Sequence, residues 1–514
     1  MAWVVDRVGP LGLSYGKFLL SLFVIGILVW VNYRQKVGLV ASSITILLVA
    51  TNLGYHWSFR PQLSSFVFYT LMIWVLHVCF SDWRNRWHLR MLAVKDQAIQ
   101  QSWMQGRLLW LLLPIIFLWT NSHGGFVAGV CIATAYLGLR AFEAVQQQGA
   151  AGFGLARRML LVIAGVIAVT LLNPYTYELP AWLLSALSVP RPEIVDWSNN
   201  QIFSLVGVKF LLLVAIVVFA LVKSEKQRDF VHLCLLAVTL WQSCSHFRHV
   251  PFFVILCGFW LGPHLQSALD RIQSAENQVD LLAKPKHAAV VFAMLALITA
   301  AVSFQLSNRL NRIQVDRGVY PVDAFAYLDE HDVHGRVVVT FNWAQFAIAA
   351  LCDDSTAGQP VSQVAFDGRF RTCYPQGIID MHFDFLYGEQ DQIARYRSPN
   401  SPRIQPGRVL EHRQPDLAVI RRFDEVTSPY MHTRDDWCLL YQDGLAEVWG
   451  RKSRFDNPEN ENYLPIEKRV KTPRMPRGIV SWPAIANYEN RNLTKAPSTS
   501  AELTSEMGVS YVSN

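Results

Sequence analysis

Residues 203–228 read FSLVGVKFLLLVAIVVFALVKSEKQR. From Phe203 to Leu221 the run carries a single charge, Lys209, and is apolar on every side of a helix. A buried helix of a water-soluble protein keeps a polar stripe, which this run lacks. Its length matches the roughly 20 residues that cross a hydrocarbon core about 30 Å thick. Lys223, Lys226 and Arg228 follow at once. The segment therefore reads as a membrane span that ends in a basic loop.

Similar runs recur in both directions, and none long enough to span follows Gln305. Helices are expected near 13–31, 37–53, 63–80, 107–120, 124–140, 159–173, 203–222, 230–246, 249–262 and 288–305. The expected fold is an α-helical polytopic membrane protein. About ten transmembrane helices occupy residues 1–305, an extracytoplasmic α/β domain occupies 306–450, and a polar, disordered tail occupies 451–514. The tail is rich in Asn, Pro, Ser and Thr, too little apolar area to offset ordering.

Charge sets the orientation. Alternate loops hold Arg34 and Lys36; Arg84, Arg86, Arg90 and Lys95; Arg157 and Arg158; Lys223, Lys226 and Arg228; Arg271, Lys284 and Lys286. The opposite loops hold only Arg60, Arg191 and Arg248, besides Arg7 in the N-terminal tail. Basic side chains resist translocation, so the first set belongs in the cytoplasm of an inner (plasma) membrane, with both termini outside. The net charge of +7 follows from those loops. No basic patch interleaved with aromatics calls for nucleic acid. Met1–Pro10 has no positive n-region, so either a helix is missing in front of it or a short neutral tail translocates by itself.

Of the eight cysteines, Cys79, Cys131, Cys234, Cys244 and Cys257 sit in or beside apolar helices and act as small hydrophobes. Cys352, Cys373 and Cys438 fall in the soluble domain, where Cys352–Cys373 is either one disulfide or a free pair. No CxxC and no metal-ligand spacing occurs.

The unusual polar residues gather at the outer helix ends: His56 and Arg60; Asn121 and His123; Asn173, Tyr175 and Glu178; Arg191, Glu193, Asp196 and Trp197; His246, Arg248 and His249. Each alone fits a solvated rim. Together they differ from the plain Lys/Arg loops opposite. Arg60, Asn121, His123, Arg248 and His249 are the candidate substrate-binding residues, with the guanidinium groups suited to a phosphate. Glu193 and Asp196 are the candidate catalytic carboxylates, as a base or as ligands of a divalent metal. Pro190 and Pro192 make their segment a loop. Gly124-Gly125 follows no strand and precedes no Lys-Ser/Thr, so it reads as close helix packing, helped by Ala128 and Gly129.

In the soluble domain, 322–330 and 343–351 read as helices, and 336–341, 363–366, 416–421, 438–442 and 445–449 as strands. Asp443-Gly444 reads as a two-residue hairpin turn with φ > 0 at both positions. Asp367-Gly368-Arg369 and Asp380, His382 and Asp384 read as a loop of solvated polar residues, with a metal site as the weaker alternative.

Arg60-Pro61-Gln62-Leu63, Trp119-Thr120-Asn121-Ser122-His123-Gly124-Gly125-Phe126, Leu172-Asn173-Pro174-Tyr175, Arg248-His249-Val250-Pro251-Phe252 and Phe366-Asp367-Gly368-Arg369 form a set. Over roughly residues 40–450 it resembles bacterial multi-pass proteins related to the GT-C class of membrane glycosyltransferases. That class uses polyprenyl-phosphate sugars. The resemblance implies sugar transfer at the outer membrane face, with cations on the leaving phosphate and a carboxylate on the acceptor hydroxyl. Such enzymes carry an acidic loop after their first helix. Nothing of the kind precedes the first helix here, which implies that an initial helix and catalytic loop are absent from this chain. The competing readings are a non-catalytic anchor that binds envelope glycan and a transporter. The second is disfavoured by the lack of a helix repeat.

Overall fold

The computed structural model describes residues 4–482 and 484, except 5, 6, 59, 82, 84–102, 188, 195, 196, 198, 200–203, 273–284, 312, 352–361, 391–394 and 483. The basic loop at 84–95 and the candidate Asp196 therefore lie outside the described residues, as does Cys352. Two compact units, 1–310 and 311–514, divide the chain.

Every segment read as an apolar span is helical. In order these are α1 (Pro10–Arg34), α2 (Leu39–Gly54), α3 (Gln62–Cys79), α4 (Leu112–Thr120), α5 (Phe126–Gln148), α6 (Phe153–Val169), α7 (Glu178–Leu187), α8 (Leu205–Lys223), α9 (Phe230–Ser245), α10 (Val250–Ile272) and α11 (Pro285–Asn311). Only α7 was not expected. Among the described residues four helical stretches are long and apolar enough to cross a membrane: Leu11–Arg34, Gln62–Cys79, Phe126–Val169 and Phe247–Ile272. Leu39–Gly54, Gly106–Thr120 and Phe230–Ser245 are shorter.

Local chemistry sets the helix ends. Ser204 accepts the Gly207 N–H to start α8, and Asp229 accepts those of Val231 and His232 to start α9. Pro114 has no N–H, and its ring conflicts with the carbonyl four residues back, so Leu109–Leu111 tightens into a 3-10 turn before α4. The stretch 126–169 is two helices: α5 and α6 pack on each other around a turn at Gly149–Gly152. Gly149 takes φ 57°, and a Cβ on Gly152 would collide with the Ala144 carbonyl oxygen.

Helix α10 is the axis of the unit. Its residues Val250–Gly262 are all buried, against α1, α2, α3, α8 and α9. Gly258 and Gly262 let α1 approach, where the Asn32 amide donates to the Leu28 and Gly258 carbonyls at 2.8 and 3.1 Å.

The second unit is α/β, with strands β1 (Gln314–Asp316), β2 (Arg336–Val339), β3 (Gln363–Val364), β4 (Leu417–Arg421), β5 (Trp437–Gln442), β6 (Ala446–Arg451), β7 (Val470–Lys471) and β8 (Ile479–Ser481). Its main sheet runs β3-β2-β4-β6-β5-β7. β2 is parallel to β3 and β4, β6 is antiparallel to β4 and β5, and β7 adds a parallel edge. The helices are α12 (Val322–Glu330), α13 (Ala344–Ala350), α14 (Gln376–Tyr387), α15 (Arg408–Glu411), α16 (Thr427–His432) and α17 (Lys452–Phe455).

Three expectations are corrected here. Residues 452–482 are not a loose tail: β7 joins the main sheet, β8 pairs with β1, and Phe455 and Leu464 are buried in the core. Neither Asp443 nor Gly444 has positive φ; instead the Asp443 carboxylate accepts the Leu445 and Ala446 N–H groups at 2.6 and 2.7 Å. Gly444 is small because the Met475 backbone crosses it, 2.6 Å from where a Cβ would stand. Asp380, His382 and Asp384 are not in a solvated loop; they lie buried on α14. Cys373 is free.

Candidate functional site

Three helices of the first unit meet one rim by one end each: α5 by its N-terminus after His123, α9 by its C-terminus before His246, and α10 by its N-terminus after His249. Between α9 and α10 the chain turns in one 3-10 step, Phe247–His249, entered by His246 in an extended conformation. That step sets two imidazoles and a guanidinium side by side. The His246 and His249 ring centres are 5.3 Å apart. His249 Nδ1 stands 3.1 Å from the Gln242 side-chain oxygen, which orients its ring.

Trp197 joins this turn from the loop after α7. Its indole meets two guanidinium groups, with the Arg248 carbon 4.3 Å and the Arg191 carbon 4.7 Å from the ring centre. It also meets His246 and His249 at 5.9 and 6.4 Å. A guanidinium stacked on an indole uses its face, and its N–H donors point out along the perpendicular plane. Arg191 is anchored by a 2.9 Å bond to the Ala186 carbonyl at the end of α7. Two cations thus gather on one aromatic ring.

His123 completes the set from the α4–α5 turn. Trp119 Nε1 donates to Ser65 Oγ at 2.8 Å, and Ser65 Oγ lies 2.7 Å from His123 Nδ1. The Gly125 N–H also donates to that Nδ1, at 3.1 Å. Nδ1 is therefore an acceptor, which assigns the neutral tautomer with hydrogen on Nε2. Burial, with the Arg248 charge adding to it, holds the His123 pKa down at about 4. The same two causes lower His246. The glycines serve this packing: a Cβ on Gly125 would stand 2.5 Å from Ser65 Oγ and 2.9 Å from His123 Nδ1, and one on Gly129 would strike the Trp119 ring.

Among the residues singled out from the sequence, His123, Arg248 and His249 come together. Glu193 lies in the same loop as Arg191 and Trp197, with its Oε2 enclosed. Asn121 does another job: its amide donates to the Phe117 and Leu172 carbonyls at 2.9 and 3.0 Å, tying the end of α4 to the turn after α6. Arg60 is exposed in the turn before α3. Ser65 and Trp119 were missed, because a serine in an apolar helix and a tryptophan at its neighbour's end carry no signal until the helices are paired. Among the described residues no three His, Cys, Asp or Glu side chains stand together as a metal site.

A second polar cluster, also missed, lies about 20 Å along α5 from this rim, counting about 1.5 Å per residue from Phe126 to Arg140. Arg140 is buried and bonds Glu143 at 2.7 Å and Asp229 at 2.6 Å, and Trp83 Nε1 donates to Glu143 at 3.0 Å. His232 stacks on Trp260 with ring centres 3.9 Å apart. These contacts link α5, α9 and α10 at their other ends. Removing either partner would strand a buried charge.

A scan against protein-family models finds no family that matches, and a search of the curated proteins finds no relative.

Proposed function

We propose that this rim binds the phosphate of a polyprenyl-phosphate sugar at the extracytoplasmic face of an inner membrane, and that the protein is a transferase of the GT-C glycosyltransferase type. The observation that carries the reading is the pair of guanidinium groups, Arg191 and Arg248, both held over the Trp197 ring next to a neutral histidine donor. A phosphodiester is a singly charged group with several acceptor oxygens. Two in-plane guanidinium forks and an imidazole N–H suit it. The surrounding helices supply the apolar surface along which a polyprenyl chain would lie.

In this reading about ten helices cross the membrane: the seven long and short apolar stretches, one of which is the pair α5 and α6, together with α8 and α11. The basic loops at 34–36, 157–158 and 223–228 face the cytoplasm, so the Arg140 network lies on that side and the rim opposite. In the same reading the second unit is extracytoplasmic, where an envelope glycan is the expected acceptor.

Sugar transfer breaks the bond between the anomeric carbon and the phosphate oxygen, and a bond from the acceptor oxygen forms. Arg248 and Arg191 stabilise the charge that returns to the phosphate, and the His123 Nε2–H donates to it. Glu193 takes the acceptor hydroxyl proton. A divalent ion would add charge at the same phosphate; no step depends on it. The second reading, a binding protein without transfer, keeps every contact except that of Glu193.

The test is equilibrium binding of a polyprenyl-phosphate mannose to the full chain in nanodiscs. A hydrogen bond to a charged group contributes about 1.5–3 kcal/mol, so Arg248→Gln is expected to raise Kd by roughly 10- to 150-fold. Equal binding by the variant and the parent removes the reading. Unchanged binding but lost transfer in Glu193→Gln identifies the enzyme; no transfer by the parent leaves the binding protein.

A further inference from the structure

The second unit carries an open cleft of ≈ 660 Å³ that none of the preceding chemistry uses. It is bounded by the turn into α15, by α15 itself and by α16, with Gln405, Arg408, Glu411, His412, Tyr430 and Arg434 on its walls and Met381 of α14 at its floor. Its volume falls in the range of ligand pockets, about 300–1,000 Å³, and is far more than a lone anion fills.

The walls are built, not incidental. Tyr430 packs its ring edge-on to Phe385, with centres 6.4 Å apart. Its hydroxyl lies so close over Gly407 that any Cβ there would collide with it. Arg434 grips Asp436 through two bonds of 2.8 and 2.7 Å and Glu411 through one of 2.9 Å. Arg451, 3.8 Å from each of the two carboxylates, supplies the second positive charge, so this wall is fixed and neutral.

Arg408 is different. Among the described residues its guanidinium has no ion pair and no hydrogen bond, although it lines the cleft. Past His412 the chain makes a strained turn. Arg413 and Gln414 are consecutive non-glycine residues with φ of 57° and 47°. Such backbone costs about 1–3 kcal/mol per residue and is kept where something over-determines it. Here the Arg336 side chain donates to the Arg413 carbonyl and the Gln414 N–H to Glu411. Asp416, the next carboxylate along, is already engaged by Arg454 at 2.8 Å. Arg336, Arg408 and Arg413 all act on His412, where they add to burial in lowering its pKa. One lip of the cleft therefore carries a surplus of positive charge.

The geometry points to a binding site for an acidic saccharide, a short chain of sugars bearing carboxylate or phosphate groups. Arg408 takes the charge. Gln405, His412 and the Glu411 carboxylate meet hydroxyl groups, and the Tyr430 ring and Met381 meet the apolar sugar faces. This site lies within the second unit and does not depend on the rim of the first.

The test is isothermal titration of the full chain in detergent with trigalacturonate, at about 0.1 M salt. Saturable binding is expected, weakened at least tenfold in Arg408→Gln, with maltotriose and inorganic phosphate each at least tenfold weaker than trigalacturonate on the parent. Glucose 6-phosphate, run alongside, separates phosphate from carboxylate as the preferred charge. Polyprenyl-phosphate binding at the rim stays unchanged in Arg408→Gln, so failure of one site is distinguishable from failure of the other. No saturable binding of either acidic sugar, equal binding by Arg408→Gln, or equal binding of maltotriose overturns the proposal.

Discussion

Replacing His382 by leucine should stabilise the second unit, and more so as the pH falls. His382 is the middle residue of α14 and is 1% exposed. Its ring lies 4.4 Å from that of Phe366 and 5.7 Å from that of Phe383, centre to centre. Among the described residues neither ring nitrogen has a hydrogen-bond partner. A buried donor or acceptor without a partner costs about 1–3 kcal/mol, and leucine has a similar volume with no polar atom. At pH 7.5 the variant should therefore gain about 1–3 kcal/mol. Burial also holds the His382 pKa at about 3, against an ordinary value of 6.5. Between those values the unfolded chain binds a proton that the folded chain refuses, so the contribution of this ring to stability falls with pH. The slope is at most about 1.4 kcal/mol per pH unit. Leucine removes that slope. The stability difference between variant and parent should then widen by about 1.3 kcal/mol from pH 7 to pH 5.5. The assay is hydrogen exchange of the α14 amides in the full chain, with thermal unfolding at each pH alongside. All other titrating groups cancel in the difference. Parallel stability curves for the two proteins, or a less stable variant at pH 7.5, would refute the account of an unpartnered ring.

The remaining predictions concern the same unit. Asp384 is buried and bonds Arg397 through two 3.0 Å contacts and Arg395 at 3.3 Å, so Asp384→Asn leaves two cations without their carboxylate. A loss of about 3 kcal/mol or more is expected in chemical unfolding, and a change under 1 kcal/mol would mean that the pair is solvated. Ending the chain after Arg451 removes Phe455 and Leu464 from the core as well as β7 and β8. Each lost side chain contributes about 1.5–3 kcal/mol, so the shortened unit should lose cooperative melting, whereas a chain ended after residue 484 should keep it.

Short-range patterns were the legible part. Ten apolar runs marked ten helices because a run without a polar stripe has no other regular use. Helix 322–330 and strand 417–421 were readable from the spacing of apolar residues within the element itself. The Arg248-His249 turn and the His123 turn stood out because such residues are rare at the ends of apolar helices. Trp197 and Arg191 were visible as residues, but their stacking was not, since the two guanidinium groups come from segments 57 positions apart. Asp380, His382 and Asp384 misled for a related reason. Three polar residues in five suggest solvent, but Arg395, Arg397, Ser398 and Ser401, folded back on α14, join Gln376 in satisfying the two buried carboxylates. The segment 452–482 misled because its few apolar residues are spread out. Two of them are enough once a sheet offers an open edge.

By itself the chain's order of residues determined where helices and strands form, since hydrophobic period, caps and prolines act within a few residues of each other. It also set the expected orientation, because each basic loop meets the membrane independently of the rest. The tertiary structure alone decided which polar groups are partners: that Ser65 serves His123, that Arg140 holds Asp229, and that Arg408 lines a cleft with no ion-pair partner among the described residues. Those outcomes depend on distances of a few ångströms between segments far apart in sequence. A Coulomb or hydrogen-bond energy is settled by that distance and by local burial, neither of which is written in residue order.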